Sequence, residues 1–337
     1  MFNNRTRNQH FIAQVEQKLN SINPSETRNR RRILEFVVNE RDQLSFSITK
    51  TNGVRIEQNL SFDDLYTFEI FSDATRNNFE TFFSKYESKI EQLTNNFLNC
   101  IKEKQKISSD EVMDLIFCKI MNFVRNPYSI KKVLNTFGSL RTKVPSDPYL
   151  LSEFFKITIE NIKIEPNILN FLEISEEEYI DWLKIIFLFF VVEQDGKSVG
   201  ELTVENFRKT SFIYINVFNY DDEICLLSDR GFVDYSPSLG ESFFSMSFNL
   251  NKNSFLNFSF FEPSWENFKA LIPNDNGRIA LLEKHLDIRI AFPPRTEVTT
   301  ISNFLDGVRN YNSNVIRQCH SNFYAAQKDF LIFKSSS

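Results

Sequence analysis

The sequence predicts an α+β fold with an N-terminal β-meander, a helical middle and a mainly antiparallel C-terminal sheet with a final helix. Three observations carry this. Apolar residues alternate with polar ones at Leu44, Phe46 and Ile48, the period of a half-buried strand. Between residues 74 and 104 they return every three or four positions instead, through Phe79, Phe83, Tyr86, Ile90, Leu93, Phe97 and Ile101, which is a helical stripe. From residue 211 onward, β-branched and phenylalanine-rich runs separated by polar turns dominate. The chain divides on this basis into an arm and meander (1–72), a helical region (73–210) and an α+β region (211–337), expected to form one interleaved unit.

Taken in order, Ile12, Val15 and Leu19 are spaced for a short helix that Pro24 ends. Strands are expected at 33–38, 44–48 and 54–57, the last following an Asn52-Gly53 hairpin signal. A second long helix starts at Ser108 or Ser109, with Asp110 and Glu111 in its first turn, and stops at Pro127. Short helices follow at 128–137, 148–161 and 166–172. Ser175 and Glu178 form a capping box. The helix behind it, 179–194, is apolar nearly all round after Ile185 and belongs at the centre of the fold. Asp195-Gly196 is read as its end. After a short helix at 204–209, strands are expected at 211–218, 223–228, 242–249 and 254–261. A helix at 265–271, an ambiguous stretch at 279–290, a last helix over 297–327 and a closing strand at 330–333 complete the reading.

Composition bounds the function. The 337 residues are 42% apolar and 25% charged, with a formal charge of −5, which does not suit a protein that binds nucleic acid over its whole surface. The first 32 residues differ. Arg5, Arg7, Lys18, Arg28, Arg30, Arg31 and Arg32 face only Glu16 and Glu26, an excess of five positive charges (seven minus two) that suits phosphate, although a solvated face has the same composition. The four cysteines, Cys100, Cys118, Cys225 and Cys319, lack metal-knuckle spacing and fit a reducing cytoplasm. No secretory signal opens the chain, and the most apolar run, 185–192, is too short to span a bilayer, so no membrane partner is expected.

The most chemically loaded stretch is Ser228-Asp229-Arg230-Gly231, which closes the buried run Cys225-Leu226-Leu227. A carboxylate and a guanidinium just past a buried strand suit a rigidly held polar site. A turn in which Asp229 accepts backbone N–H groups explains the same residues. Histidine is the side chain tuned to move protons near neutral pH, and His10, His285 and His320 are the three present. His285 lies among leucines and reads as structural. His320 shares a helix face with Arg317 at i, i+3. The candidate catalytic set is His10, Asp229 and His320, and the candidate binding set is Arg7, Arg230, Arg317 and Asn322. If they converge, they form an acid–base pair beside a phosphate clamp, suited to metal-independent phosphodiester cleavage. The alternative for His10 is that it pins the arm to the body by bonding a carbonyl. The acidic pairs and runs at Asp63-Asp64, Glu176–Glu178 and Asp221-Asp222 are explained by caps and turns, so no metal ligands are assigned and the cofactor stays open.

Several short elements resemble a bacterial family known only as a domain of unknown function. Its members open with a His-Tyr-Val-Pro-like motif before a short helix, where this chain has His10-Phe11-Ile12-Ala13. Phe123-Val124-Arg125-Asn126-Pro127 looks like its Arg-x-Pro element. Ser228-Asp229-Arg230-Gly231 looks like its Ser-Asp-x-Pro element, with Gly231 in the proline place, and Asn322 matches a C-terminal Asn. The resemblance implies a prokaryotic intracellular protein of phage-defence gene neighbourhoods and supplies no mechanism; taken with the basic arm, the leading expectation is an intracellular bacterial effector, a nuclease or toxin of a phage-defence system, with a nucleic-acid partner through the arm or a protein partner from the same operon. The alternative is a non-catalytic sensor or scaffold that binds a protein.

Overall fold

The computed structural model describes residues 1–72, 75–103, 105, 107–158, 166–236, 243–261, 264–266, 276–285, 287 and 295–333. The chain is α+β. Its first strand, β1 (Asn8–His10), leads into helix α1 (Gln14–Leu19). Strands β2 (Arg32–Glu40), β3 (Ser45–Ile48), β4 (Val54–Arg55), β5 (Ser61–Asp63), β6 (Thr67–Ser72) and β7 (Thr75–Asn78) follow. The helical region comprises α2 (Glu80–Lys102), α3 (Ser109–Arg125), α4 (Ile130–Thr136), α5 (Pro148–Phe155), α6 (Pro166–Leu172) and α7 (Glu176–Phe190). A two-residue hairpin, β8 (Glu193–Gln194) with β9 (Lys197–Ser198), precedes α8 (Val199–Thr210). Then come β10 (Phe212–Asn219), β11 (Leu227–Ser228), β12 (Val233–Asp234), β13 (Phe243–Asn251), β14 (Ser254–Phe261), α9 (Asn276–His285), β15 (Arg295–Ser302), α10 (Leu305–Gln318) and β16 (Asn322–Ala325).

Helix α7 is the hub. Ile185, Ile186 and Phe187 are fully buried, and Leu188, Phe189 and Phe190 nearly so, because apolar residues circle its C-terminal half. Ser175 caps it as expected, accepting from Glu178 N while the Glu178 carboxylate accepts from Ser175 N. Phenylalanines interlock around it: Phe187 stacks on Phe2 and meets Phe79 and Phe154 edge-on. Against this helical layer lies a five-stranded sheet in the order β12-β13-β14-β10-β15. Its inward residues Ile213, Ile215, Val217, Met246, Phe248, Leu256 and Phe258 join the same core.

A second sheet, β11-β16-β2-β3, draws strands from both ends of the chain. The Asn52-Gly53 signal does not make a hairpin here. Ile48 pairs with Phe36, and Val54 then pairs with Ile33 on the same strand. Residues 45–55 therefore run along one edge of β2, and 49–53 bulge out between the two pairings. Gly53 has φ +75°, and a Cβ there would stand 2.6 Å from the Ile33 carbonyl oxygen, so only glycine fits the re-entry.

Other expectations need correction. Asp195-Gly196 is the turn of the β8–β9 hairpin, both residues having positive φ, as a type I′ turn requires. The helix after it spans twelve residues and starts with its own capping box, Ser198 with Glu201. The expected helix over 297–327 is instead strand, helix and strand. Val298-Thr299-Thr300-Ile301 is β-branched and pairs in parallel with β10, so this sheet is mixed. The expected strand at 223–228 keeps only its last two residues, and residues 330–333 form no strand. The expected helix at 265–271 falls mostly outside the described residues.

The arm docks on the body. Phe11, Ile12 and Ala13 are buried, Lys252 N donates to Leu19 O, and Asn20 Nδ2 donates to Asn249 Oδ1 at 2.7 Å.

Candidate functional site

Asp229 stands just beyond β11, and its carboxylate is 2% exposed as part of the residue. The turn that carries it is tight: Gly231 N donates to Ser228 O, and Arg230 N donates to Ser228 Oγ. Gly231 has φ +78°, with Ile12 Cδ1 2.7 Å from where its Cβ would be. The arm therefore touches the Asp229 turn. Asp229 Oδ1 accepts from His320 N at 2.7 Å, and Oδ2 accepts from Ser321 N and Asn322 N, both at 2.8 Å. Burial pushes this carboxyl up, and the three N–H donors pull it back. The residues it holds are the junction between α10 and β16. On the other side of that junction, Arg41 donates to the carbonyls of Arg317, Cys319 and His320, where a cation also suits the helix dipole. Oppositely charged side chains thus clamp one chain reversal from both sides.

His10 is held at both ring nitrogens. Nδ1–H donates to Asn59 O at 2.9 Å, and Nε2 accepts from Gln14 Nε2 at 2.7 Å. Arg28 Nε donates to Gln14 Oε1 at 3.0 Å, which fixes the amide so that its NH2 faces the ring. A proton on Nε2 would meet that NH2. Burial is the main force lowering the His10 pKa, with Glu87 opposing and Arg125 and Arg28 adding to it. His320 is also lowered, by burial first. Its ring stacks on Tyr128 at 4.1 Å and meets Phe171 edge-on.

The fold brings His10, Asp229, His320, Arg230 and Asn322 into one neighbourhood, joined through other residues. Tyr324 Oη lies 3.2 Å from both Asn59 Oδ1 and Glu35 Oε1, and Asn322 Nδ2 donates to Glu35 Oε1 at 3.3 Å. His10 and Asp229 are thus linked through Asn59, Tyr324, Glu35 and Asn322, and no direct hydrogen bond joins the two side chains. Tyr128 packs between the segments, against Phe11 on one side and His320 on the other. Arg7 lies elsewhere, 3.8 Å from Asp64 and exposed, and Arg317 is exposed at the end of α10.

The acidic residues have local employment. Asp64 pairs with Arg76, Asp221 accepts from Asn303 Nδ2, and Glu178 completes its capping box. Among the described residues, no group of three His, Cys, Asp or Glu side chains is arranged to hold a metal ion.

The sequence reading missed a polar network buried in the helical layer. Glu16, 3% exposed, accepts from Lys119 and Asn122. Asn122 Oδ1 accepts from Arg125, which is fully buried and pairs with Glu87 at 2.5 Å. Glu80 lies beside this group with Oε1 buried and unpartnered. Burial pushes its carboxyl from 4.5 up to about 7, against the pull of Arg125. The hint in the sequence was a charge on an otherwise apolar helix face, at Lys119 and Arg125.

These shifts give two expected results. His10 and His320 resist protonation when folded, so below 6.5 the unfolded chain takes up protons first. Stability should therefore fall as pH drops below 6.5, and His10→Gln should flatten that slope in melting curves taken between pH 5 and 8. An unchanged slope would show that His10 titrates normally. Glu80 has the opposite sign. Its folded value lies above 4.5, so stability is lost as pH rises from 4.5 through about 7. Glu80→Gln should stabilise by about 2 kcal/mol at pH 8 and by little at pH 4, allowing for the helix N-terminus that favours the anion. Equal melting shifts at both pH values would reject this.

No family model matches this chain, and no curated protein or solved structure is similar to it. Among the described residues, no helix is long and apolar enough to cross a membrane.

Proposed function

We propose that the protein binds a phosphate-rich partner, a nucleic acid, through a basic surface built from Arg28, Arg30, Arg31, Arg32, Lys50 and Arg55. One observation carries this: none of the six forms an ion pair among the described residues, although they are neighbours. Arg32 and Arg55 are register partners on β2 and β4, and like charges directly opposite destabilise a sheet. Arg32 donates to the carbonyl of Gly53, and Gly53 N donates back to Lys50 O, so the bulge gathers these charges at one edge. A row of phosphates supplies the missing counter-charge.

In this reading the protein works in the cytoplasm of a bacterial cell as a defence effector. His10 and Asp229 position the chain, so cleavage, where it occurs, falls to His320 beside Arg230. A protein-binding scaffold is the second reading. Val144, Tyr149, Phe155 and Phe171 favour it, each more than half exposed.

The test is fluorescence anisotropy with labelled oligonucleotides across a salt series. The wild type should bind, and Arg30→Gln/Lys50→Gln/Arg55→Gln should bind more weakly with a salt slope shallower by about 2–3. Equal affinity and slope in the variant, or no wild-type binding at low salt, would remove the basic surface from the function. Expression toxicity lost in His320→Ala with an intact melting curve would support cleavage.

A further inference from the structure

The turn after β11 holds a cation that makes no ion pair among the described residues, although the charge of the adjacent Asp229 carboxylate favours it. The Arg230 N–H donates to Ser228 Oγ, and Ile12 stands against the neighbouring Gly231. Its guanidinium is largely desolvated, its Nε is buried with no hydrogen-bond partner, and it forms no ion pair among the described residues. A guanidinium partly withdrawn from water, with its Nε–H unmatched, is costly unless paired.

The groups around it are spoken for or are cations themselves. Asp229 spends both oxygens on the N–H groups of residues 320–322. Arg41 spends its guanidinium on three carbonyls. Lys132 pairs with Asp234 and lies 5.7 Å over the Phe232 ring. Burial, together with the charge of Arg230, pushes its ammonium down to about 8. His320 stacks on Tyr128, and its ring nitrogens have no hydrogen-bond partner among the described residues. Two side chains with unused donors, Arg230 and His320, thus meet at Asp229, which precedes the one in the chain and holds the backbone N–H of the other, and Lys132 lies over the ring of Phe232, two residues after Arg230. Planar N–H donors beside a lysine and an imidazole are the donor set that takes a tetrahedral, multiply charged oxyanion.

We infer that Arg230, His320 and Lys132 form a receptor for a single phosphate group, carried by a phosphomonoester or as free phosphate. This site does not depend on the basic surface formed around β2 and β4.

The test follows melting temperature and titration calorimetry at constant ionic strength, with inorganic phosphate, a nucleoside monophosphate and the corresponding nucleoside as probes. Phosphate should raise the wild-type melting temperature in a saturable way. Arg230→Gln should fold without added ligand and bind phosphate about tenfold more weakly or worse, with Arg230→Lys between the two. Arg30→Gln/Lys50→Gln/Arg55→Gln should keep the full phosphate response, which separates this site from the nucleic-acid surface. A monophosphate that binds more tightly than phosphate assigns the site to a nucleotide, and equal binding assigns it to the free anion. The inference is overturned if the wild type shows no phosphate response, if Arg230→Gln responds as the wild type does, or if the nucleoside alone binds as well as its monophosphate.

Discussion

Asp229→Ala should lower unfolding stability by about 3–5 kcal/mol in a urea or thermal titration. Three backbone N–H groups, those of His320, Ser321 and Asn322, lose their only side-chain acceptor, and each buried donor left unsatisfied costs about 1–3 kcal/mol. Some of that returns if water enters the vacated space. Arg41 would still hold the carbonyls on the far side of the reversal, so half the clamp remains. Asp229→Asn should fall between, since one amide oxygen can still accept while its NH2 faces donors. A melting curve for Asp229→Ala that overlays the wild type would show that the carboxylate does not hold this junction. A loss of cellular activity in this variant has to be compared with its folded fraction before it says anything about chemistry.

Lys119→Met should cost about 3–5 kcal/mol, because it leaves Glu16 as a buried carboxylate with only Asn122 as donor. The double variant Glu16→Gln/Lys119→Met should recover most of that loss. Its Gln can still accept from Asn122, and the uncompensated charge is gone. The comparison separates the cost of breaking a buried pair from the value of having one. If the double variant is as unstable as Lys119→Met alone, the polar network contributes through its shape and packing, and charge is secondary.

The sequence made the helical layer legible, and much of the sheet. The stripe from Phe79 to Ile101 and the capping box at Ser175 are local signals, and local signals survive folding when packing agrees with them. The N-terminal and C-terminal boundaries were harder, for identifiable reasons. Asn52-Gly53 carries a true turn signal, but tertiary pairing with β2 uses it as a bulge. Residues 297–302 hold both helix-compatible and β-branched positions, and parallel pairing with the distant β10 decides between them. At the candidate site, the sequence drew attention to His10, Asp229, Arg230, His320 and Asn322 by residue type. It could not show that both nitrogens of His10 and both oxygens of Asp229 are occupied, since their partners lie between 4 and 93 positions away. The unpaired state of Arg230 and of the cations near Arg55 was likewise invisible, because a missing partner is a property of three dimensions.

The sheet that joins β2 to β16 has a consequence for how the protein is made. Phe36 and Phe46 emerge early from the ribosome, yet Phe323 and Phe330, whose rings cover them, come almost three hundred residues later. Until β16 has been made, β2 offers a sticky, unpaired flank in the crowded cell, a hazard for a chain whose pairing contacts are so distant. Chaperone dependence during translation should therefore be strong, and a stop just before β16 should yield aggregate even though the helical layer and the five-stranded sheet have already been made.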